Sequence, residues 1–458
     1  MLLTKGDVET VLGEALAGGG DLAEVFVERR VTSTIALEGQ RIERANSGLD
    51  QGAGIRLLAD ESSIYVFTND LSLTGLKAAA QAASAALKEK TPGRKVIQLR
   101  PELAARPLAV TRGDLAAKVA VVFTAEKEAR AGGDAIRQVM VSYGDSEQEV
   151  QIANSKGMLA ADRRYRTTLV VNVVAGEGNE VQTGYESLGG TAGLELLTSD
   201  RVRELGARAA RRALLLLKAR PAPAGRMPVV LAGEAGGTMI HEACGHGLEA
   251  DIVGKEMSVY AGKVGQRVAS ELVTVIDDPT LPGKYGSFSF DDEGTPAQKT
   301  VLIENGILKT YMYDLEWARR HGKDSTGNGR RQSFHFPPIP RMTNTYLAAG
   351  GTPPEEIIAR TPHGLLVKRM GGGQVNPTTG DFVFDVAEGY LIENGKVTVP
   401  VRGATLTGNG PRALQAVDLV GTDLGFAIGT CGKDGQGVPV ADAQPTIRIP
   451  ELVVGGLL

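Results

Sequence analysis

Cysteine is scarce in this sequence, with only Cys244 and Cys431 among 458 residues. Two cysteines cannot supply a disulfide framework, so an apolar core has to stabilise the fold. Hydrophobic residues make up 42% of the chain and charged residues 23%. This composition is typical of a soluble globular protein, and the chain is long enough to bury a large core.

Long apolar segments are missing as well. No stretch approaches the roughly 18 consecutive apolar residues that a membrane-spanning helix needs. Near the N-terminus, Lys5, Asp7 and Glu9 interrupt the apolar region that a signal peptide would require. Together with the low cysteine count, these absences favour a cytoplasmic protein without membrane association.

A surplus of positive charge is also absent, because 50 basic residues face 54 acidic ones and the net charge is −4. Nucleic-acid-binding proteins usually carry a basic surplus or a basic stripe. The arginines between residues 201 and 220 alternate with Ala, Leu and Glu, which indicates the solvated face of a helix. We therefore expect no nucleic-acid partner.

Glycine, in contrast, is abundant, with 59 residues that cluster after residue 230. Many tight turns and short strands are therefore expected in the second half. Apolar spacing predicts helices over 7–18, 71–90, 114–131 and 198–219. Alternation predicts strands over 23–48, 54–60, 62–69 and 136–185.

This mixture of helices and strands lacks strict alternation, and it predicts an α+β fold. The segment ARPAPAG (219–225) contains two prolines among small residues and is the best candidate for a linker. We therefore predict an N-terminal α+β domain over residues 1–220. A β-rich catalytic domain is predicted over residues 221–458.

Two Asn-Gly pairs, at residues 305–306 and 394–395, predict β-hairpins. The segment TGNG follows each pair, at 326–329 and 407–410. We interpret the two regions as related sheet modules within one domain. The alternative is two common hairpins that happen to look alike.

Histidines and an acid are concentrated in GGTMIHEACGHGLEAD (236–251), where His241, Glu242 and His246 form H-E-x-x-x-H. The more familiar H-E-x-x-H spacing places two rings about 40° apart on a helix. A spacing of five residues turns a regular helix by about 500°, so the rings diverge by about 140°. The motif can bind one ion only through a local i→i+5 turn, which Gly245 makes easier.

Glu242 directly follows the first candidate ligand, which suits a general base. Zinc hydrolases use the metal to acidify water and a nearby carboxylate to accept the proton. The alternative interpretation is a surface helix with incidental His and Glu residues.

A catalytic zinc usually takes three protein ligands. Cys431, in the glycine-rich segment GTCGKDGQGVPV, is one candidate for the third ligand. Glu249, Asp251 and Cys244 are local alternatives. Cys431 could instead be a small buried residue without a metal.

Two further groups of charged residues have simpler interpretations. Arg330 and Arg331 could clamp a substrate carboxylate, although a surface loop is the simpler assignment. The acidic runs 277–278 and 291–293 could bind a hard cation, although turn and cap positions are more usual for such residues.

Several long motifs resemble the TldD branch of the TldD/PmbA family, over residues 225–450 and more weakly in the N-terminal half. The resemblance implies zinc bound by His241, His246 and Cys431, with Glu242 as the motif acid. The PmbA (TldE) branch lacks the zinc motif, so the motif implies a catalytic subunit. Relatives often carry Val where this chain has Cys244. The motifs are HEACGHGLEAD, VGQRVASELVTVIDD, DDEGTPAQKTVLIENG, STGNGRRQSF, PRMTNTYLAAG, GGGQVNPTTGDFVF and GTCGKDGQGVPV.

The same resemblance implies an α/β N-terminal domain with mixed strands and helices. It also implies a mostly antiparallel β C-terminal domain that carries the zinc-site helix. We expect a dimer around an enclosed cavity, either a homodimer or a heterodimer with a PmbA/TldE-type partner. The expected activity is zinc-dependent hydrolysis of unfolded or leader-type peptides with low sequence selectivity. Alternatives are another zinc hydrolase, such as an esterase or amidohydrolase, and a non-catalytic or regulatory peptide-binding subunit.

Overall fold

The computed structural model describes residues 2–87, 97–106 and 108–456. Helices and strands are mixed along the chain, which confirms the predicted fold class. The helices are α1 (Lys5–Ala15), α2 (Leu73–Ala85), α3 (Leu115–Arg130), α4 (Ser199–Lys218), α5 (Thr238–Ile240), α6 (Ala250–Gly254), α7 (Leu315–Arg320), α8 (Pro354–Ala359) and α9 (Gly410–Ala416).

The four helices predicted in the N-terminal half are confirmed, each shifted by a few residues. Side-chain caps explain two of the starts: Thr4 accepts from the backbone N–H of Asp7, and Asp114 accepts from that of Ala117. Residues 88–90, the end of the predicted helix 71–90, lie outside the described residues. Within the described part of the chain, no helix combines the length and the apolar character needed to cross a bilayer.

The first sheet has the strand order β3-β2-β1-β5-β6-β4, with β7 also paired to β6. Its neighbours are antiparallel, except that β4 runs parallel to β6. Its strands are β1 (Leu22–Glu38), β2 (Arg41–Ala59), β3 (Ser62–Thr68), β4 (Leu103–Ala104), β5 (Ile136–Asn154), β6 (Leu159–Glu177) and β7 (Glu180–Gly190).

The strand predicted at 54–60 is confirmed for residues 54–59, but it is not a separate strand. These residues are the end of β2, which pairs with β1 from Arg41 to Leu58. The small and polar residues in the middle of β2 weaken the apolar alternation there, and pairing with β1 keeps the backbone extended.

Alternate residues of β1 pack on opposite faces of the sheet. Val25 and Val27 pack in the cluster that includes α1 and α2, and Ile35 packs with α3 and α4. Phe26 lies on the opposite face and packs against Phe334 of the C-terminal half. The sheet therefore has helices on one face and the C-terminal half on the other.

The C-terminal half contains a six-stranded sheet, with the order β12-β11-β10-β15-β22-β21, and an eight-stranded sheet, with the order β16-β9-β23-β19-β17-β18-β8 and β20 also paired to β23. Strands β13 and β14 form a separate pair. Most neighbours are antiparallel; β15–β22, β16–β9 and β18–β8 are parallel. The strands of this half are β8 (Arg220–Pro221), β9 (Gly225–Leu231), β10 (Val275–Asp277), β11 (Thr300–Glu304), β12 (Ile307–Leu308), β13 (Gly329–Arg330), β14 (Ile339–Pro340), β15 (Asn344–Leu347), β16 (His363–Val375), β17 (Asp381–Glu393), β18 (Lys396–Arg402), β19 (Thr405–Asn409), β20 (Leu419–Val420), β21 (Gly425–Lys433), β22 (Gln436–Gln444) and β23 (Ile447–Gly455).

Both Asn-Gly pairs form tight hairpin turns. Asn305 and Gly306 have φ values of 47° and 80°, and Asn394 and Gly395 have values of 52° and 70°. Two consecutive positive φ angles are typical of a type I′ turn. The two hairpins belong to different sheets of the C-terminal half. Hairpin β11–β12 lies in the sheet that contains β10 and β15, and hairpin β17–β18 lies in the sheet that contains β16 and β19.

The expectation that Arg330 and Arg331 lie in a surface loop was wrong, because both residues are buried. Arg330 donates to the backbone carbonyls of Met342 and Pro439, at 2.5 and 2.7 Å. Arg331 donates to Glu24 on β1 at 2.5 Å. Arg331 therefore joins this segment to the N-terminal half, whereas Arg330 joins it to other parts of the C-terminal half.

Candidate metal centre

The segment with both motif histidines forms a series of single turns. It starts with α5, continues as a π-turn over His241–Gly245 and ends as a 3₁₀ turn over His246–Leu248. The backbone N–H of His246 donates to the carbonyl of His241, five residues earlier. The predicted i→i+5 turn is therefore confirmed. Each of these turns spans three to five residues, so the zinc-site helix that the resemblance implied is not confirmed.

Close backbone packing surrounds this π-turn. A Cβ atom at Gly410 would lie 2.3 Å from the carbonyl oxygen of Ala243, which is in the middle of the turn. The same carbonyl accepts a hydrogen bond from the hydroxyl of Tyr260 at 2.9 Å. A Cβ atom at Gly245 would lie 2.1 Å from the sulfur of Met342. Glycine at these positions lets neighbouring segments approach the turn closely.

We expect the Gly410→Ala substitution to lower the free energy of unfolding by about 1–3 kcal/mol, because the new methyl group collides with rigid backbone. The smaller entropic gain from replacing glycine, about 0.4–1 kcal/mol, cannot offset this cost. Urea unfolding measures the difference. Gly372→Ala is the matched control, since a Cβ there meets no atom within 4 Å. Equal stability of the two variants would contradict the packing argument.

Strand β21 brings Cys431 to the two histidines. One ligand atom from each of His241, His246 and Cys431 lies within 4.8 Å of the others. Nε2 of His246 is 3.5 Å from Sγ of Cys431. Nitrogen and sulfur ligands of a tetrahedral zinc lie about 3.5 Å apart, given the usual bond lengths. The donor set therefore fits a zinc ion in both chemistry and spacing.

A carboxylate accepts a hydrogen bond from Nδ1 of each imidazole ring. Nδ1–H of His241 donates to Asp442 at 2.8 Å, and Nδ1–H of His246 donates to Glu249 at 3.0 Å. Because a carboxylate only accepts, it fixes the proton on Nδ1, so Nε2 is the nitrogen that would bind a metal after losing its own proton. Metal-binding histidines usually have such a carboxylate partner.

The electrostatics of the cluster favour a bound cation. Burial alone would raise the pKa of Cys431, but His241 and His246 outweigh it and lower that pKa to about 5. Burial alone would lower the pKa of His246, but Glu249 and Cys431 outweigh it and raise that pKa to about 9. The sulfur is therefore readily available as a thiolate, which is the form that binds metals.

Glu242 lines the same cleft as the three candidate ligands, and the cleft has a volume of about 490 Å³. Burial raises the pKa of Glu242 above its ordinary value, although His241 and His246 act in the opposite direction. Residues 427–433 of β21 form another wall of the cleft. A carboxylate, two imidazoles and a thiol therefore face one space beside a strand.

The other local acids and the second cysteine occupy different positions. Glu249 contacts the back of His246, and Asp251 contacts Lys433. Cys244 is a free, buried thiol that donates to the carbonyl of Ile240, and burial raises its pKa to about 12. Cys431 is also free, so the two cysteines form no disulfide.

Asp442 and Lys433 were missed at the sequence level. Asp442 lies in the apolar strand β22, and an acid at such a position was the one available signal of a special role. Lys433 lies two residues after Cys431, in a loop-like sequence with no feature that distinguishes it from a surface lysine.

Family models match most of the chain. Residues 224–456 match the model described as PmbA/TldA metallopeptidase C-terminal domain. Residues 114–217 match the central domain of the same family, and residues 23–87 match domain 1. The chain belongs to the PmbA/TldD family. It is a metal-dependent peptidase, as the names of the family models and of its relatives agree.

Among similar proteins of the PmbA/TldD family is a Metalloprotease TldD homolog from Haemophilus influenzae, which is 38% identical over 95% of this chain and 93% of its own length. A Zinc metalloprotease TldD homolog from Saccharolobus solfataricus is 33% identical over 63% of this chain and 65% of its own. The crystal structure of TldE from Thermococcus kodakarensis has a TM-score of 0.80 at 22% identity, over 98% of this chain and 100% of that one. At this low identity, the likeness to TldE concerns the fold alone.

Proposed function

We propose that this protein is a zinc-dependent peptidase, with His241, His246 and Cys431 as the metal ligands and Glu242 as the general base. The observation that carries the proposal is the convergence of these four side chains on one cleft. Imidazole and thiolate ligands suit zinc better than magnesium or calcium. The name of the Saccharolobus relative supports the same metal.

Zinc in such a site acts as a Lewis acid and makes water more acidic. The carboxylate of Glu242 accepts the proton of the attacking water and then passes it to the nitrogen of the leaving amine. Asp442 and Glu249 hold the two imidazole rings through Nδ1, so that Nε2 of each ring would be the nitrogen that binds the metal. Glu242 is half-buried in the cleft, which limits its contact with bulk water.

The substrate is proposed to bind as an added strand along β21. Among the described strands, β21 pairs only with β22 and ends its sheet. Its residues 427–433 line the cleft and lead to Cys431. The unpaired N–H and C=O groups of an edge strand recruit extended chains. Backbone pairing selects weakly for side chains, so unfolded and leader-type peptides of many sequences would be cleaved.

The proposed assembly is a dimer, either of two copies of this chain or with a TldE-type partner. A dimer that encloses the cleft would admit an extended peptide and exclude a folded protein. We also keep the division into domains at residues 1–220 and 221–458 as a proposal. Light scattering of the purified chain, alone and mixed with a TldE-type protein, tests the assembly.

Strand addition predicts that cleavage depends on the backbone of the substrate more than on its sequence. We expect an unfolded protein to be cut much faster than its folded form, and a scrambled peptide to be cut at a rate similar to that of its parent. Rates are measured by mass spectrometry of timed digests. Small esters, assayed in parallel, test the alternative of an esterase. The proposal fails if the folded protein is cut as fast as its unfolded form, or if scrambling the peptide sequence abolishes cleavage.

N-methylated peptides make this test sharper. Alternate N–H groups of an extended peptide point toward its partner strand, and the remainder point away. N-methyl groups placed outside the scissile bond should therefore slow cleavage at one set of alternating positions and leave the other set nearly unaffected. Equal sensitivity at all positions would contradict pairing with β21.

A further inference from the structure

A single lysine connects the two parts of the chain that carry the candidate ligands. Nζ of Lys433 donates to Glu249 at 3.1 Å, to Asp251 at 2.8 Å and to the backbone carbonyl of Pro340 at 2.7 Å. Lys433 belongs to β21, two residues after Cys431. Glu249 and Asp251 follow His246 along the chain. The ammonium group therefore connects the cysteine-bearing strand to the turn that carries the second histidine.

Lys433 lines the cleft, so a direct contact with substrate has to be considered. An ammonium group has three N–H donors. Glu249, Asp251 and Pro340 use all three, and the side chain is only 8% exposed. No donor remains for a peptide, which indicates that Lys433 acts through its neighbours.

Glu249 is the neighbour that matters for the metal site. Its side chain is fully buried, and its Oε2 accepts from both Nδ1–H of His246 and Nζ of Lys433. Its Oε1 has no hydrogen bond, and Nε of Arg341 is 3.9 Å away. Among the contacts of the described residues, Lys433 is the cation that hydrogen-bonds this carboxylate.

We propose that Lys433 is a positioning residue of the metal centre, which orients Glu249 and thereby aims Nε2 of His246 toward Sγ of Cys431. The inference rests on the ligand set of the proposed function. Residues two apart on a strand project from the same face. Strand β21 therefore supplies the ligand Cys431 and, through Lys433 and Glu249, also orients the ligand His246. These contacts hold the strand at a constant distance from the turn that carries His246.

The Lys433→Met substitution should weaken zinc binding by about 10–100-fold, the usual effect of losing an outer contact of a metal ligand. Competition with a chromophoric chelator measures the affinity, independently of activity. In protein loaded with cobalt, the thiolate-to-metal absorption bands should also shift. Lys118→Met is the matched control, since Lys118 is a largely buried lysine paired with Asp145 at 2.6 Å in the N-terminal half. The Lys118→Met variant should have the zinc affinity and the cobalt absorption spectrum of the wild type.

A double substitution tests the route through Glu249. Lys433→Met alone leaves the buried carboxyl groups of Glu249 and Asp251 without their shared ammonium, which can prevent folding. Combining it with Glu249→Gln removes the charges of Lys433 and Glu249 together and leaves Asp251 as the remaining acid. If Lys433 acts through Glu249, the double variant should bind zinc as tightly as Glu249→Gln alone. A further tenfold loss in the double variant would overturn the proposal.

The outcomes separate this inference from the ligand assignment. If Lys433→Met binds zinc like the wild type while His246→Ala loses it, the positioning role is wrong and the ligand set stands. If His246→Ala retains zinc with wild-type affinity, the ligand set itself is wrong. Lys433→Arg keeps a cation at this position and should recover part of the lost affinity.

Discussion

The Glu242→Gln substitution is expected to reduce peptide hydrolysis by about 10²–10⁴-fold, the usual contribution of a general base. The amide has nearly the shape of the carboxylate but cannot take a proton from water. Because Glu242 is not among the three converging ligand atoms, we expect zinc content and thermal stability to stay at wild-type values. The measurements are kcat/KM on an unfolded peptide, metal content and the unfolding temperature.

Glu271→Gln provides the matched control for this experiment, because Glu271 is exposed and does not line the cleft. It should leave all three measurements unchanged. Substantial residual turnover by Glu242→Gln, with zinc still bound, would remove Glu242 from the mechanism. Loss of zinc together with activity would instead indicate that Glu242 contributes to metal binding.

Removal of any candidate ligand is expected to abolish stoichiometric zinc binding. The purified wild-type chain should contain one zinc, whereas His241→Ala, His246→Ala and Cys431→Ala should contain almost none. A catalytic site holds its metal with three protein ligands, and two are insufficient for tight binding. Plasma emission spectrometry measures the metal content, and activity should fall with it.

Metal loss should also lower the unfolding temperature, because a ligand that binds only the folded state stabilises that state. Excess chelator added to the wild-type protein should produce a similar shift. The effect should be absent in the three alanine variants, which have no metal to lose.

Cys244→Val is the control for the cysteine, because it replaces the other buried thiol with an apolar residue of similar size. Cys244 donates to a helix carbonyl and lies outside the converging ligand atoms. Its replacement should retain one zinc per chain. If Cys244→Val loses zinc while Cys431→Ala keeps it, the third ligand has been assigned wrongly.

The local geometry of the motif could be predicted from the sequence because it depends on helical periodicity alone. If His241 and His246 bind one ion, their spacing of five residues requires an i→i+5 turn. The Asn-Gly pairs likewise determine their turns, since asparagine and glycine tolerate positive φ. In both cases the physical constraint lies within a few consecutive residues.

The same local rules failed where distant contacts determine the environment. Residues 54–59 join a strand that began at Arg41, because pairing with β1 keeps the intervening polar residues extended. Arg330 and Arg331 look like surface residues in their sequence context. Both can be buried because the carboxylate of Glu24 and the carbonyls of Met342 and Pro439 accept hydrogen bonds from their guanidinium groups.

The mixture of helices and strands, the distorted turn and the set of candidate ligands around it follow from local sequence patterns. Which distant groups meet at the site depends on the tertiary packing. Sγ of Cys431 contacts a histidine 185 positions away, and Asp442 contacts one 201 positions away. The order of strands in a sheet brings these groups together. Periodicity encodes which face a residue occupies, whereas the identity of its neighbour depends on the packing of the whole chain.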